Sequence, residues 1–151
     1  MELLDYIKID LAKESDYVLI HQVETTLFQQ EYSKKSFFKM LLKMNNRYDY
    51  VCKLEDMMIG YITIIVYEDT ADMLSLYVHK HYRRKGCAKA LVEEAINKHL
   101  TENGLKVTLE VRVSNQTAIQ FYQNLGFDII SRRSEYYQDR EDAWVMQLIK
   151  E

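Results

Sequence analysis

Met73-Leu74-Ser75-Leu76-Tyr77-Val78, Arg83-Arg84-Lys85-Gly86-Cys87-Ala88, Leu109-Glu110-Val111-Arg112-Val113 and Ser114-Asn115-Gln116-Thr117-Ala118-Ile119-Gln120-Phe121-Tyr122 follow one another between Asp72 and Phe127. The first and third runs are rich in strand-forming residues. The second is a basic, glycine-bearing turn, and a long amphipathic stretch follows it. Read in order they give strand, turn, helix, strand, helix. A strand–helix–strand crossover packs its helix on a sheet, so this segment decides the class as α/β.

The periodicities on either side agree. From residue 86 to 100 the apolar positions Ala88, Leu91, Val92, Ala95 and Ile96 recur on one helical face. Val107, Leu109, Val111 and Val113 then alternate with Thr108, Glu110 and Arg112. That period of two puts the valines on one face of a strand and Glu110 on the other. Ala118, Phe121, Tyr122 and Leu125 fit a further helix, with Gly126 suited to its C-terminal stop. Residues 127–132 and 143–149 read as closing strands. Upstream, residues 6–10 read as a first strand, and Ser15 or Asp16 is placed to cap a helix whose inner face carries Val18, Leu19, Val23 and Leu27. A second helix is expected from Ser33 or Lys35 to Met44, with Phe37, Phe38, Leu41 and Leu42 inside. Residues 48–54 and 59–67 form a hairpin around the polar Glu55-Asp56 turn, and residues 72–79 the next strand. The expectation is one domain over residues 1–151, an α/β fold with a mixed central sheet of about seven strands flanked by about four helices.

Composition narrows the function. The 151 residues carry a net charge of -3, which argues against a general nucleic-acid binder. Two cysteines, Cys52 and Cys87, cannot build a disulfide framework, which points to a reducing compartment. The start lacks the basic flank and apolar core of a signal peptide. The longest apolar stretch, residues 57–67, is interrupted by Gly60 and Thr63 and is shorter than the about 20 residues a membrane helix needs. A cytoplasmic protein with no membrane partner is expected.

Arg83 to Ala88 lies where a strand ends and a helix begins. A helix N-terminus presents unpaired N–H groups and a positive dipole end, which attract phosphate. Gly86 and the small Ala88 let backbone amides approach an anion. Arg83, Arg84, Lys85 and Lys89 add positive charge; such residues are unfavourable at this end of a helix unless an anion joins them. The bland alternative is a solvated basic helix start. The turn is neither a Walker loop nor a dinucleotide fingerprint, lacking Gly-Lys-Ser/Thr and the three-glycine spacing.

Arg83-x-x-Gly86-x-Ala88 resembles the acyl-CoA pyrophosphate signature of the GNAT N-acetyltransferases. Leu109-Glu110-Val111-Arg112, Ser114-Asn115, Ala118-Ile119, Tyr122 and Leu125-Gly126-Phe127 are similar to the ribosomal-protein-alanine acetyltransferase branch. So is the tail Tyr136-Tyr137-x-Asp139-x-Glu141-Asp142-Ala143, and Tyr32-Ser33-Lys34-Lys35-Ser36-Phe37 resembles that branch's Trp-Ser-x-x-x-Phe segment. The resemblance implies acetyl-CoA as cosubstrate, no metal, and a splayed V-shaped cofactor slot. The backbone of Leu76, Tyr77 and Val78 would pair with the pantetheine amides as an added strand does. A free amide there would serve as oxyanion donor. Arg83, Arg84, Lys85, Gly86, Cys87, Ala88 and Lys89 would hold the pyrophosphate, and Asn115 the pantetheine arm.

An amine attacks a thioester only as its free base. Glu110 is a candidate general base, directly or through water; otherwise it is a surface glutamate paired with Arg112. Tyr122 is either a core aromatic or, as the resemblance implies, the group that supports the departing thiolate. The resemblance also implies that Tyr136 and Tyr137, with Tyr32, grip a peptide N-terminus, and that Asp139, Glu141 and Asp142 draw its cationic amine. Asn115 is placed to cap the helix after it. His79 and His81 lack the further ligands zinc wants. Cys87, at a helix start beside Lys85, is a small hydrophobe rather than a nucleophile. The reading is direct acetyl transfer, in a ternary complex, to the α-amine of an Ala-starting ribosomal protein. The alternatives are a small amine or lysine side chain as acceptor, a non-catalytic acyl-CoA-binding protein, and a basic nucleic-acid module.

Overall fold

The computed structural model describes residues 2–27 and 34–151, and of Lys34 and Lys35 the backbone alone. Tyr32 and Ser33 lie outside the described residues. The elements are β1 Ile7–Leu11, α1 Tyr17–Thr26, α2 Lys34–Lys43, β2 Arg47–Leu54, β3 Met57–Val66, β4 Thr70–Val78, α3 Cys87–His99, β5 Leu105–Arg112, α4 Gln116–Asn124, β6 Asp128–Arg133 and β7 Ala143–Lys150. The seven strands form one sheet in the order β1-β2-β3-β4-β5-β7-β6. β1 pairs β2 antiparallel, β7 pairs both β5 and β6 antiparallel, and β4 pairs β5 in parallel, so the sheet is mixed as expected.

By density of internal packing the chain divides into two compact units. Met1–Ile64 and Ser75–Ala95 form the first. Its core cluster is Ile20, Phe37, Val51 and Tyr61, with Phe38, Leu41, Met58 and Tyr77 packed against it. The α1 face differs from the expectation. Val18, Leu19 and Leu27 are exposed, and the buried α1 residues are Ile20 and Glu24, an i, i+4 pair on one face. Glu24 can be buried because Tyr61 Oη donates to its carboxylate at 3.0 Å and Ser75 Oγ at 3.2 Å. Asp16 does not cap α1 with its side chain; it accepts from Lys13 N at 2.8 Å and closes the turn before the helix. On α2, Phe37 is fully buried, whereas Leu42 is 89% exposed, one step round the helix from the Phe37–Leu41 stripe.

Beneath these helices lies a buried ion pair. Arg47 donates from Nε and Nη2 to the two oxygens of Asp49, each at 3.0 Å. Tyr17 Oη adds a bond at 2.7 Å and Thr63 Oγ1 one at 2.5 Å. The Arg47 guanidinium also stands 5.6 Å from the Phe37 ring centre. Gly60 on β3 lets the backbone of β4 come close: a Cβ there would sit 2.6 Å from the Tyr77 carbonyl oxygen.

Ile65–Leu74 and Ile96–Glu151 form the second unit. The β5 burial alternates as read, with Leu105, Val107, Leu109 and Val111 buried and Thr108, Glu110 and Arg112 half-buried. In the β5–β7–β6 register, Arg112 and Arg133 both stand opposite Ala143, and Glu110 and Ser131 both stand opposite Val145. Asn115 caps α4 as expected, its Oδ1 accepting from Ala118 N at 3.1 Å. β4 and β5 pair over Thr70–Asp72 and Lys106–Thr108, three positions of strands nine and eight residues long.

Candidate active site

The first unit carries the turn that the sequence offers as a phosphate site. β4 ends at Leu76-Tyr77-Val78, and residues 80–82 form a short turn in which His79 Nδ1 accepts from His81 N at 3.2 Å. The Arg83 side chain turns back, Nε donating to the Val78 carbonyl at 2.9 Å, so one of the predicted phosphate ligands clamps the end of the strand. Arg84 and Gly86 both take positive φ, 60° and 92°, and α3 begins immediately at Cys87. Glycine meets that conformation without a Cβ penalty; a Cβ at Gly86 would also press on Leu4 at 3.0 Å. Arg84 and Lys85 are exposed at the helix start, while Lys89 lies 3.8 Å from Glu93 one turn on. Helix N–H groups, a small Ala88 and the exposed cations Arg84 and Lys85 thus meet at one helix start, which is what an anion site needs. Cys87 is buried against Cys52, and desolvation pushes its thiol above the usual range, which suits a packing residue.

The second unit carries the carboxylate and the tyrosines. Glu110 is half-buried, with Oε1 3.5 Å from Arg133 Nε. Arg112 does not pair with it, contrary to one sequence alternative. Instead Arg112 Nη1 donates to Asp139 at 2.8 and 3.0 Å and to Glu141 at 2.9 Å. Its guanidinium lies 4.1 Å from the Tyr137 ring centre, and that of Arg133 5.6 Å from Tyr136. The two tyrosine rings meet edge-on at 5.0 Å. The result is a stack, Arg112–Tyr137–Tyr136–Arg133, standing over the small, buried Ala143 and ending at Glu110. Burial chiefly raises both phenols above their ordinary range; the Glu110 charge comes next for Tyr136, while for Tyr137 the Arg112 cation opposes the rise and Tyr136 and then Glu110 add to it.

The hairpin acids are therefore engaged, not free to draw a cation. Glu141 also accepts from Ser114 N at 2.9 Å, and its carbonyl accepts from Tyr136 N and Tyr137 N. Asp142 accepts from Arg132 Nε at 2.7 Å and from Glu135 N at 2.8 Å. Those bonds hold both carboxyls below the usual range: for Glu141 chiefly the Ser114 and Arg112 contacts, for Asp142 the Glu135 amide and then Arg132. Tyr122 packs its ring against Phe121 and Phe127 at 5.2 and 5.5 Å. Burial pushes its phenol up to about 12, with Tyr137 adding a smaller effect. It stays protonated across ordinary pH. Arg133 escaped the sequence reading: only the register of two strands on β7 brings it to Glu110.

Among the described residues no group of three or more His, Cys, Asp or Glu side chains is placed to hold a metal ion. No described helix is long and apolar enough to cross a membrane.

Comparison with known proteins gives the same answer from outside. The profile of the acetyltransferase (GNAT) family matches residues 17–127. The chain is 30% identical over 144 residues to the ribosomal protein bS18-alanine N-acetyltransferase of Salmonella typhimurium, covering 93% of this chain and 95% of that one. Its fold is similar to Ard1 from Thermoplasma volcanium, with a TM-score of 0.83, 25% identity and coverage of 97% and 99%. It is similar also to the ribosomal-protein-S18-alanine N-acetyltransferase of Escherichia coli, with a TM-score of 0.80, 28% identity and coverage of 95% and 94%. With that family's profile over residues 17–127 and a relative 30% identical over nearly its whole length, this chain belongs to the GNAT family and is an N-acetyltransferase.

Proposed function

We propose that the whole chain acts as one cytoplasmic acetyltransferase domain that moves the acetyl group of acetyl-CoA to the α-amine of a protein N-terminus, a ribosomal protein above all. The observation that carries this reading is the Tyr136–Tyr137 pair fixed beside Glu110, which supplies two phenols for a peptide backbone next to a carboxylate base. The similarity to ribosomal-protein-alanine acetyltransferases over nearly the full length supports the acceptor class.

In this reading the N-terminus of α3, with Arg84, Lys85 and Lys89, holds the pyrophosphate of CoA. The backbone of Leu76, Tyr77 and Val78 pairs with the pantetheine arm, and Asn115 contacts it. The amine attacks the thioester carbonyl, Glu110 takes its proton, and the thiolate departs. Burial pushes the Tyr122 phenol up to about 12, which makes it a weaker acid than a thiol. It serves as a hydrogen-bond donor to the thiolate, not as its acid.

The test is a rate comparison with three acceptors: an Ala-starting peptide, the same peptide with a blocked N-terminus and an internal lysine, and spermidine. The free N-terminus is expected to dominate kcat/KM, and Glu110→Gln to slow it by about 10² to 10⁴. Efficient acetylation of spermidine with every peptide N-terminus ignored would replace this reading with a small-amine acetyltransferase.

A further inference from the structure

We infer that Arg133 is a positioning residue for acetyl transfer: it orients the Glu110 carboxylate toward the incoming amine while leaving its oxygens free to accept. The inference rests on Glu110 acting as the base. Three observations carry it.

First, Arg133 is the cation beside Glu110. Arg112 shares the face, since Glu110 and Arg112 alternate with buried β5 residues, but its guanidinium is spent on Asp139 and Glu141. Second, the contact is an ion pair and not a hydrogen bond. At 3.5 Å from Nε to Oε1 it is longer than N–H···O bonds run, so the carboxylate feels the charge without committing a lone pair to it. A base must accept a proton, and one locked in a bidentate clamp, as Asp49 is by Arg47, has less to offer.

Third, Arg133 is itself placed. It closes β6 opposite Ala143, the residue that Arg112 also stands opposite from β5. Tyr136 flanks its guanidinium. The register shift between Ile129 and Ser131 sets where β6 ends against β7. All six residues of β6 are exposed, so Arg133 contributes no core packing of its own. The ion pair is half-exposed, and such pairs add little to stability.

The prediction concerns the chemical step, because orientation of a reacting group is felt in kcat. Initial rates with an Ala-starting peptide and acetyl-CoA would be compared for wild type, Arg133→Ala, Arg133→Lys, Glu110→Gln and the double variant Arg133→Ala/Glu110→Gln. Arg133→Ala should lower kcat about tenfold or more with KM for acetyl-CoA unchanged, and Arg133→Lys should recover part of the loss. In the Glu110→Gln background, Arg133→Ala should cost nothing further, since there is no carboxylate left to orient. Urea midpoints confirm folding, and Arg133→Gln replaces Arg133→Ala if the alanine variant is unstable. If Glu110→Gln is slow but Arg133→Ala costs the same factor in both backgrounds, Arg133 acts independently and the inference is overturned while Glu110 remains the base. Wild-type turnover in Glu110→Gln overturns both.

Discussion

Replacing Arg47 with Met isolates the energetics of the first unit. The Asp49 side chain is fully buried and Arg47 is 6% exposed, so both charges have left water. Their attraction offsets that desolvation only while the pair stays intact. Removing one member strands the other, at a cost of about 3–5 kcal/mol. Tyr17 and Thr63 would still donate to Asp49, which places the expected loss at the lower end of that range. Thr63→Val removes one donor from a carboxylate that keeps three, and should cost about 1 kcal/mol. Against a total stability of about 5–15 kcal/mol, Arg47→Met should be conspicuous.

The discriminating measurement is a double variant. If the Arg47→Met penalty is a stranded charge, then Arg47→Met/Asp49→Leu should recover most of it, because an apolar pair of similar volume needs no solvation. Urea unfolding followed by far-UV circular dichroism gives the midpoints, with an unchanged m-value required for the comparison. A single-variant cost below about 1 kcal/mol, or a double variant as unstable as the sum of the singles, would refute the reasoning.

Gly86→Asp should weaken acetyl-CoA binding at least about tenfold by calorimetry; Gly86→Ala shares the φ of 92° and the Leu4 contact but not the charge, so the difference between the two reports phosphate repulsion. Tyr136→Phe/Tyr137→Phe keeps the ring stack while removing two hydroxyls, and kcat/KM for the peptide should fall by about ten- to a hundredfold with acceptor-free hydrolysis of acetyl-CoA unchanged. Desolvation raises the pKa of Glu24 on folding; the stability this contributes is complete below the unfolded value of 4.5 and is lost as pH rises through the folded one. Glu24→Gln does not titrate, so its melting temperature relative to wild type should rise from pH 4.5 to 7; a flat difference would mean Glu24 is ionised in the fold.

Much of this architecture is legible in the sequence, for identifiable reasons. The β5 alternation works because one face of that strand is buried by apolar residues at every second position, and it delivers Glu110 to the other face. The turn at Gly86 is legible because a positive φ selects glycine, and Asn115 because capping is local. What fails is what depends on partners far along the chain. The α1 periodicity finds Val23 but not Ile20 and Glu24, because the inner stripe includes a carboxylate whose partners Tyr61 and Ser75 lie 37 and 51 positions away. Arg112 and Glu110 share one face of a strand, which suggests a local pair, yet Arg112 bonds the hairpin residues Asp139 and Glu141 from 27 and 29 positions away. Arg133 needs two strand registers and a bulge before it can be placed at all. The candidate site in this unit rests on long-range pairings, which periodicity does not encode.

Tyr122 offers the sharpest check on the chemistry. A phenol that acts as a true general acid with an ordinary pKa near 10 would ionise within the working range of the enzyme, and kcat would fall on the alkaline side as it did so. Burial pushes this phenol up to about 12, so in the proposed mechanism it keeps its proton there and gives the thiolate a hydrogen bond. Hydrogen bonds to charged groups are worth about 1.5–3 kcal/mol, so Tyr122→Phe should lower kcat by about ten- to a hundredfold, and by a similar factor at every pH from 7 to 10. The ring stays against Phe121 and Phe127, so folding should be preserved. Stopped-flow release of free CoA, followed with a thiol reagent across that range, gives the profile for both proteins. An alkaline limb in wild type near pH 9–10 that disappears in Tyr122→Phe would show the phenol titrating at its ordinary value, and the hydrogen-bond role would give way to proton transfer.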